Sequence, residues 1–285
     1  MPAHALCLVS DGRLAAGCRD GTIRLWDIKA HAQNALLKGH ADSVNALCIL
    51  GNGRLASGSG DKTIRLWDAE SGAQLARIEG HADRVMALCL LQDGRLASGS
   101  GDRTIRIWNA KTGAETARIQ GHAESVLALC LLKDGRLASA SEDKTIRLWD
   151  AKTGAQTARI EGHTDSVSAL CALPDGRLAS GSADKTIRVW DTKIGAQTAR
   201  IEGHADKVTA LCALPDGRLA SSSGDRTVRM WHVNTGAEIL CLEGHTDSVR
   251  ALCVLPDNRL ISGSQDGTVR IWETRIAATV VGKTT

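Results

Sequence analysis

The 285-residue chain has the composition of an ordinary globular protein, with 43% hydrophobic and 24% charged residues, and it is long enough to bury a substantial core. Its net charge of +3, with both signs interspersed, argues against a nucleic-acid or anionic-membrane partner. No apolar run approaches the roughly 18 residues that a membrane span needs, and the N-terminal segment lacks the pattern of a secretory signal.

A repeat of constant length organises the chain. The seven tryptophans are spaced 41 residues apart without insertion, from Trp26 and Trp67 to Trp272. Six Gly-His pairs and seven cysteines keep the same step. Tyrosine and phenylalanine are absent, so tryptophan occupies an assigned position and is not general core filler. Seven copies of one unit therefore make up nearly the whole sequence.

One unit predicts four short strands in chain order. Residues 43–50, SVNALCIL, are apolar on both faces, as in a fully buried strand. After a glycine turn, residues 54–59, RLASGS, form the second strand. Residues 63–68, TIRLWD, alternate in polarity and form the third. Residues 73–80, AQLARIEG, form a last and more polar strand. Such units bury their faces when stacked radially into a closed ring, which we favour over an open solenoid.

The repeated elements Gly-His, LASGS and DKTIRLWD, at a spacing near 40 residues, resemble the WD-repeat (Trp-Asp repeat) propeller family. The near-identical copies look like bacterial members of that family. The resemblance implies an all-β fold, a seven-bladed β-propeller with four antiparallel strands per blade. We expect residues 1–285 to form a single domain, with approximate blades at 1–38, 39–79, 80–120, 121–161, 162–202, 203–243 and 244–285.

Closure of the ring is predicted to differ from that of many family members, in which an N-terminal strand completes the last blade. Here the chain opens on a strand of the innermost type, and Ile276–Val281 can supply the fourth strand of blade 7. Closure would then depend on packing between blades 1 and 7 without a shared strand.

Each unit also carries Ser, His and Asp, which are the components of a hydrolytic triad. The family resemblance implies a structural hydrogen-bonded chain instead, from Trp through Ser and His to Asp. A buried indole N–H needs an acceptor, and a buried carboxylate needs hydrogen bonds. Six copies of such a set also argue against a single active site. The sets are His40, Ser57, Asp61, Trp67; His81, Ser98, Asp102, Trp108; His122, Ser139, Asp143, Trp149; His163, Ser180, Asp184, Trp190; His204, Ser221, Asp225, Trp231; and His245, Ser262, Asp266, Trp272.

Blade 1 departs from this pattern, because Ala16 replaces the serine and the histidine position falls before Met1. The cysteines show no Cys-x-x-Cys or Cys/His spacing, so we expect small buried hydrophobes in place of disulfides or metal ligands, and no cofactor. Free thiols in this number favour a reducing cytoplasm. The arginines that follow Asp-Gly, such as Arg95, are expected to be solvated or paired with Glu on the outer strand.

Partners of the family commonly dock on the narrow top face around the central channel. By resemblance, three positions per unit face that way: the third and fifth residues after the histidine, and the residue before the turn Asp. These positions vary here while their neighbours do not. The candidate partner-binding residues are Arg19, Asn45, Arg84, Met86, Leu127, Glu142, Lys207, Arg250 and Gln265. Ordinary variation of an exposed surface is the alternative.

The function that follows is a non-catalytic protein-protein interaction scaffold, or a sensor or adaptor domain. The basic residues among the candidates suggest a protein or peptide partner with an acidic segment, with no nucleic acid and no membrane. We expect a monomer, although near-identical blades leave a dimer open. Two alternatives remain: an enzyme that uses the channel mouth, and an amplified or engineered repeat protein without an evolved ligand.

Overall fold

A computed structural model of the chain describes residues 2–51 and 53–274. Its strands pair only with sequence neighbours, in seven separate antiparallel sheets. Six sheets have four strands, and the seventh has three within the described residues. The predicted all-β, seven-bladed propeller is therefore confirmed. The expected fourth strand of blade 7, Ile276–Val281, lies outside the described residues.

The strands of the first four blades are, in chain order, β1 (Ala3–Leu8), β2 (Leu14–Cys18), β3 (Ile23–Asp27) and β4 (Ala32–Leu37); β5 (Val44–Ile49), β6 (Arg54–Ser59), β7 (Ile64–Asp68) and β8 (Gln74–Ile78); β9 (Val85–Leu90), β10 (Arg95–Ser100), β11 (Ile105–Asn109) and β12 (Glu115–Ile119); β13 (Val126–Leu131), β14 (Arg136–Ser141), β15 (Ile146–Asp150) and β16 (Gln156–Ile160).

The strands of the last three blades are β17 (Val167–Ala172), β18 (Leu178–Ser182), β19 (Ile187–Asp191) and β20 (Ala196–Ile201); β21 (Val208–Ala213), β22 (Leu219–Ser223), β23 (Val228–Trp231) and β24 (Glu238–Leu242); β25 (Val249–Val254), β26 (Leu260–Ser264) and β27 (Val269–Trp272).

Burial changes across each blade as the sequence pattern predicts. In the second blade, β6 is buried on both faces from Leu55 onward, whereas β8 exposes most of its side chains. The second strand consists of small residues because the neighbouring blades cover it closely. A Cβ atom on Gly58 would lie only 2.5 Å from Cγ1 of Val85 in the next blade. Small residues on β6 thus allow the blades to pack at this distance.

Each interface between blades is an apolar cluster that includes a tryptophan. Between blades 1 and 2, Leu37 and Val44 belong to the same buried cluster as Trp67, which is 1% exposed. Because the tryptophan of one blade covers the outer strand of the blade before it, every blade depends on both neighbours for its core.

A second tie between blades lies at the base. The side chain of Arg95 forms a salt bridge with Asp93 of its own turn, at 2.8 Å, and also donates to the carbonyl of Ala151 in the next blade, at 2.8 Å. Arg136 donates in the same way to the carbonyl of Thr192 at 3.0 Å. The expectation that these arginines are solvated or paired with outer-strand Glu was wrong, because the turn Asp orients them toward a backbone acceptor.

The ring closes by packing of β1 against β25 and β26. A Cβ atom on Gly263 would lie 2.9 Å from Cβ of Ala3, so blades 7 and 1 approach as closely as other neighbours. Blade 1 takes all four strands from contiguous sequence. In the described part of the chain, no strand is shared between these two blades.

The outer part of this junction differs from the other interfaces. A groove of about 350 Å³ lies there, and Leu14, Ala16 and Trp26 of blade 1 line it together with Val269 and Ile271 of blade 7. Trp26 is half-buried. Because Ala16 lacks a hydroxyl, the Trp26 indole N–H has no serine acceptor in its own blade. Blade 1 therefore lacks the buried hydrogen-bonded chain that blades 2 to 7 share.

Candidate functional site at the channel mouth

The top face is built from the Gly-His loops and the tight turns between second and third strands. In blade 2 the turn places Lys62 at φ +70° and closes with a bond from the Lys62 amide to the Ser59 carbonyl, at 3.2 Å. The Ser59 hydroxyl donates to the Asp42 carbonyl at 2.9 Å. The turn is thereby joined to the loop that carries His40.

A buried chain of hydrogen bonds runs beneath this face. The Trp67 indole donates to Ser57 Oγ at 2.8 Å, Ser57 Oγ lies 2.7 Å from His40 Nε2, and His40 Nδ1 lies 2.8 Å from Asp61 Oδ2. The same contacts, all between 2.7 and 2.8 Å, recur in blades 3 to 7. The structure therefore brings together all six of the quartets listed from the sequence.

The direction of each proton follows from the donor inventory. An indole nitrogen can only donate, so Ser57 Oγ accepts from Trp67 and gives its own proton to His40 Nε2. The Nδ1–H of His40 then donates to Asp61. Nδ1 must carry the proton, because the ionised carboxylate of Asp61 can only accept. The geometry thus assigns the Nδ1–H tautomer to the imidazole.

The electrostatics of blade 2 agree with this assignment. Burial lowers the pKa of His40 below 6.5, although the hydrogen bond to Asp61 opposes the change. Burial alone would raise the pKa of Asp61, but hydrogen bonds from Thr63, the Ala41 amide and His40 outweigh it and lower the pKa to about 2. The pair therefore consists of an uncharged imidazole and an ionised carboxylate at neutral pH.

These quartets are not hydrolytic centres. The side chain of each of the six serines is enclosed, with 0% exposure, and its hydroxyl is occupied by both the indole and the imidazole. A nucleophile must reach a carbonyl carbon beside an oxyanion hole, and a hydroxyl without an accessible face cannot do so. The repeated Ser, His and Asp therefore fix the loops and turns of the top face.

Blade 1 shows what the turn looks like without the histidine. Asp20 accepts from the amide and hydroxyl of Thr22, at 3.0 and 2.6 Å, and forms a loose ion pair with Arg24, at 3.6 Å. Arg24 and Asp20 are both partly exposed. The turn itself thus forms in the absence of the buried chain, and the histidine adds the connection to the core.

The cysteines of the first strands face a similarly enclosed environment. The thiol of Cys48 donates to the carbonyl of Ile49 at 3.6 Å, and burial raises its pKa to about 12. All nine cysteines are free, and burial raises the pKa of each thiol. Protonated thiols of this kind behave as small hydrophobes and are poor nucleophiles.

The channel mouth is formed by one residue from each blade, at the second position of the first strand or its equivalent. An opening of about 210 Å³ into the channel is lined by Leu127 and Arg250, together with alanines and leucines of the first strands. We call the seven residues at this strand position the mouth residues, of which Leu127 and Arg250 line the opening: His4, Asn45, Met86, Leu127, Ser168, Thr209 and Arg250. Four of the partner-binding candidates, Asn45, Met86, Leu127 and Arg250, thus belong to one ring of residues.

Three mouth residues also connect neighbouring blades. The Asn45 amide donates to the Val85 carbonyl at 3.2 Å. The hydroxyls of Ser168 and Thr209 likewise donate to the carbonyls of Val208 and Val249 on the first strand of the next blade. Asn45 therefore has an interblade bond that variability alone did not suggest. Met86 and Leu127 have no donor for such a bond.

The mouth is basic and polar between blades 7 and 2. With the Gln265 amide oriented so that its oxygen faces Arg250, that oxygen accepts from Nη2 at 2.8 Å and from Nε at 3.2 Å. His4 stands beside them: burial lowers its pKa, and the charges of Arg250 and Arg19 lower it further. The structure thus brings Arg19, Arg250 and Gln265 into one part of the mouth.

The other candidates lie further out on the top face. The Arg84 side chain is 64% exposed, and its Nε lies 4.0 Å from Asp83. Glu142 is exposed and Lys207 is half-buried. These three residues are accessible but do not line the opening to which Leu127 and Arg250 belong.

The top face also carries a ring of acidic residues that was not predicted from the sequence. The second residue after each histidine is acidic, and these side chains are exposed or half-buried: Asp42, Asp83, Glu124, Asp165, Asp206 and Asp247. In blade 2, a Cβ atom on Gly60 would lie 2.6 Å from Asp42 Oδ2. A side chain at Gly60 would therefore require the Asp42 carboxylate to move, although Glu142, Ala183 and Gln265 occupy the same position in other blades. The constant acid in every Gly-His copy was the available signal.

The fold and this face define a β-propeller repeat protein whose constant polar residues are buried and whose variable ones surround the channel. The profile of the family described as "WD domain, G-beta repeat" matches residues 2–27, 32–68, 72–109, 113–150, 154–191, 195–232 and 236–273. The chain therefore belongs to this family. A search of curated proteins found no match. Across residues 2–51 and 53–274, no helix could cross a membrane.

Proposed function

We propose that the chain is a non-catalytic interaction scaffold, or a sensor or adaptor domain, that binds a protein or peptide on its top face in the cytoplasm. Propellers of this family typically serve as protein-interaction scaffolds. One observation carries the proposal. The buried quartets are the same in six blades, whereas the seven mouth residues include a cation, an amide, a thioether and hydroxyls.

This contrast supports a role of the variable residues in binding a partner, as opposed to neutral variation of an exposed surface. Interface hot spots are enriched in arginine and large side chains placed near the centre of a contact. Arg250 and Met86 are central on this face, and Arg84 is a more peripheral, exposed cation. Within the described residues, no cluster of three or more His, Cys, Asp or Glu side chains is arranged to hold a metal ion.

Capture of partners from a native lysate tests the proposal. The immobilised chain should enrich specific proteins, and the double variant Arg84→Ser/Arg250→Thr should lose most of that enrichment. Both substitutions use residues that the chain already has at the same positions in other blades, Ser43 and Thr209. They should therefore preserve the fold.

A charge-matched control comes from the opposite face. Lys111→Ala/Lys152→Ala removes two exposed positive charges from base turns, and its enrichment should equal that of the unchanged chain. Equal loss in both double variants would indicate non-specific electrostatic capture. Absence of any enrichment by a folded chain would favour an amplified or engineered repeat protein without an evolved ligand.

A further inference from the structure

Arg250 is one of several half-buried arginines that form no ion pair with a described carboxylate; Arg65 and Arg147, which donate to Gln74 and Gln156, are others. Arg250 differs from these two in lining the opening of the channel. It is half-buried at the channel mouth, yet its guanidinium forms no ion pair with any carboxylate of the described residues. By contrast, Arg106 and Arg229 of the third strands lie 2.6 Å from Glu115 and Glu238. A partly desolvated cation without a counter-ion is unfavourable, and a bound anion would offset that cost.

The surroundings of Arg250 orient it for such a ligand. The Gln265 oxygen accepts from Nη2 and Nε, and the two N–H groups of Nη1 have no acceptor among residues 2–51 and 53–274. Nη1 therefore presents donors of fixed direction, as in guanidinium sites that bind carboxylates. The neutral Gln265 positions the group without cancelling its charge.

Two further groups adjoin the same place. His4 occupies the position on β1 that Arg250 occupies on the neighbouring β25, and its Nε2 is buried without a hydrogen-bond partner among the described residues. Arg19 is exposed in the adjoining turn of blade 1 and forms no ion pair with the described carboxylates. Two cations and an imidazole nitrogen thus meet at one junction, and this nitrogen can donate to an anion when it carries the imidazole proton.

The rest of the top face limits the ligand to a small anion. The six acidic residues after the histidines surround the mouth, and Asp206 and Asp247 act on Arg250 at longer range. A uniformly acidic segment would be repelled by this ring. A single anionic group at the centre of the mouth would experience less of this repulsion.

We propose that the mouth between blades 7 and 1 is a subsite for one carboxylate of the partner, with Arg250 as the main ligand and Arg19 and His4 beside it. This inference rests on the proposed function, because the carboxylate belongs to a bound protein or peptide. A C-terminal carboxylate and an Asp or Glu side chain share this chemistry. The neutral Gln265 and the open Nη1 suit either one.

Titration of the 15N-labelled chain with small probes tests the subsite directly. N-acetylglycine supplies a terminal carboxylate, and the α-amide of N-acetylglutamate supplies a side-chain carboxylate. We expect either or both to shift the Arg250 Nε–H and Gln265 amide signals saturably, and the tighter probe identifies the source. N-acetylglycinamide, which has no charge, should leave both signals in place.

Variants separate the subsite from general basicity. Arg250→Thr should weaken carboxylate binding about tenfold or more, as expected for loss of charge-assisted hydrogen bonds. Lys111→Ala removes an exposed cation from a base turn and should leave the affinity within about twofold. Unchanged tryptophan indole signals in both variants will show that the fold is intact.

Several outcomes would overturn the inference: no saturable shift at Arg250, equal binding of the neutral amide, unchanged affinity in Arg250→Thr, or tighter binding of inorganic phosphate than of either carboxylate. Failure of the proposed function is distinguishable. If the chain binds the carboxylate probes through Arg250 but captures no protein, the subsite is supported and the scaffold role is not. If the chain captures proteins through Arg84 but does not bind the probes, the scaffold role is supported and the subsite is not.

Discussion

Replacing Asp143 with alanine is expected to lower the free energy of unfolding by about 3–5 kcal/mol, because several hydrogen bonds to a buried carboxylate, each contributing about 1.5–3 kcal/mol, are lost. The carboxylate accepts from His122 Nδ1 at 2.8 Å, from the Ala123 amide at 3.0 Å and from the Thr145 hydroxyl at 2.6 Å. Its side chain is 8% exposed and that of His122 is 1% exposed. Alanine would leave these donors buried without an acceptor.

Blade 1 provides the matched control within the same chain. Asp20 occupies the same turn position but has no histidine, and its side chain is 27% exposed. Asp20→Ala should therefore cost about 1 kcal/mol or less, the scale of a single exposed turn interaction. Urea unfolding followed by tryptophan fluorescence measures both variants. Similar losses for the two substitutions would show that the buried chain adds little to stability.

Acidification is expected to destabilise the protein in two stages. Below about pH 6.5, unfolded histidines take up protons that the folded state resists, because burial lowers the pKa of four network histidines, His40, His122, His163 and His245. Below about pH 4, protonation of the network aspartates lowers the free energy of unfolding more steeply. Burial alone would raise the pKa of these carboxyl groups, but their hydrogen bonds have the larger effect. The pKa of Asp61 and of Asp143 is therefore lowered from 3.8 to about 2.

Acidification lowers the stability in both stages, because a group whose pKa is lower in the folded state binds more protons in the unfolded chain. For Asp61 and Asp143 the difference corresponds to roughly 2 kcal/mol each, present above pH 4 and lost as the pH falls through about 2. Melting temperatures measured from pH 8 to 2 should be flat above pH 7 and then fall. Asp143→Ala should flatten the lowest part of the curve. A melting temperature that rises or stays constant on acidification would contradict this assignment.

The fold could be predicted from the sequence because the repeat has no insertions. A constant step of 41 residues places equivalent side chains, such as Trp67 and Trp108, at equivalent sites in adjacent blades. The quartets followed from the family resemblance and from the need of a buried indole for an acceptor. Neither inference required knowledge of how one blade faces the next.

The contacts that the sequence did not indicate depend on that orientation. Arg95 bonds to the Ala151 carbonyl, and a backbone acceptor has no residue type by which to identify it. Asn45 donates across the blade junction, but variability at its position indicated only exposure. Gly60 lies close to the Asp42 carboxylate, a contact between two loops that the sequence alone does not show. The sequence therefore indicated which residues lie on the top face, but it did not distinguish the candidate binding residues from those that bond between blades.

Hydrogen exchange of the seven tryptophan indole N–H groups, followed in one 1H–15N spectrum at neutral pH, tests most directly whether the repeated Trp, Ser, His and Asp residues form a buried structural chain. Six indoles, those of Trp67, Trp108, Trp149, Trp190, Trp231 and Trp272, donate to a serine hydroxyl at 2.7 or 2.8 Å. These six signals should exchange slowly, and the Trp26 signal should be lost first. Equal exchange of all seven, or a Trp26 signal protected as strongly as that of Trp67, would contradict the account.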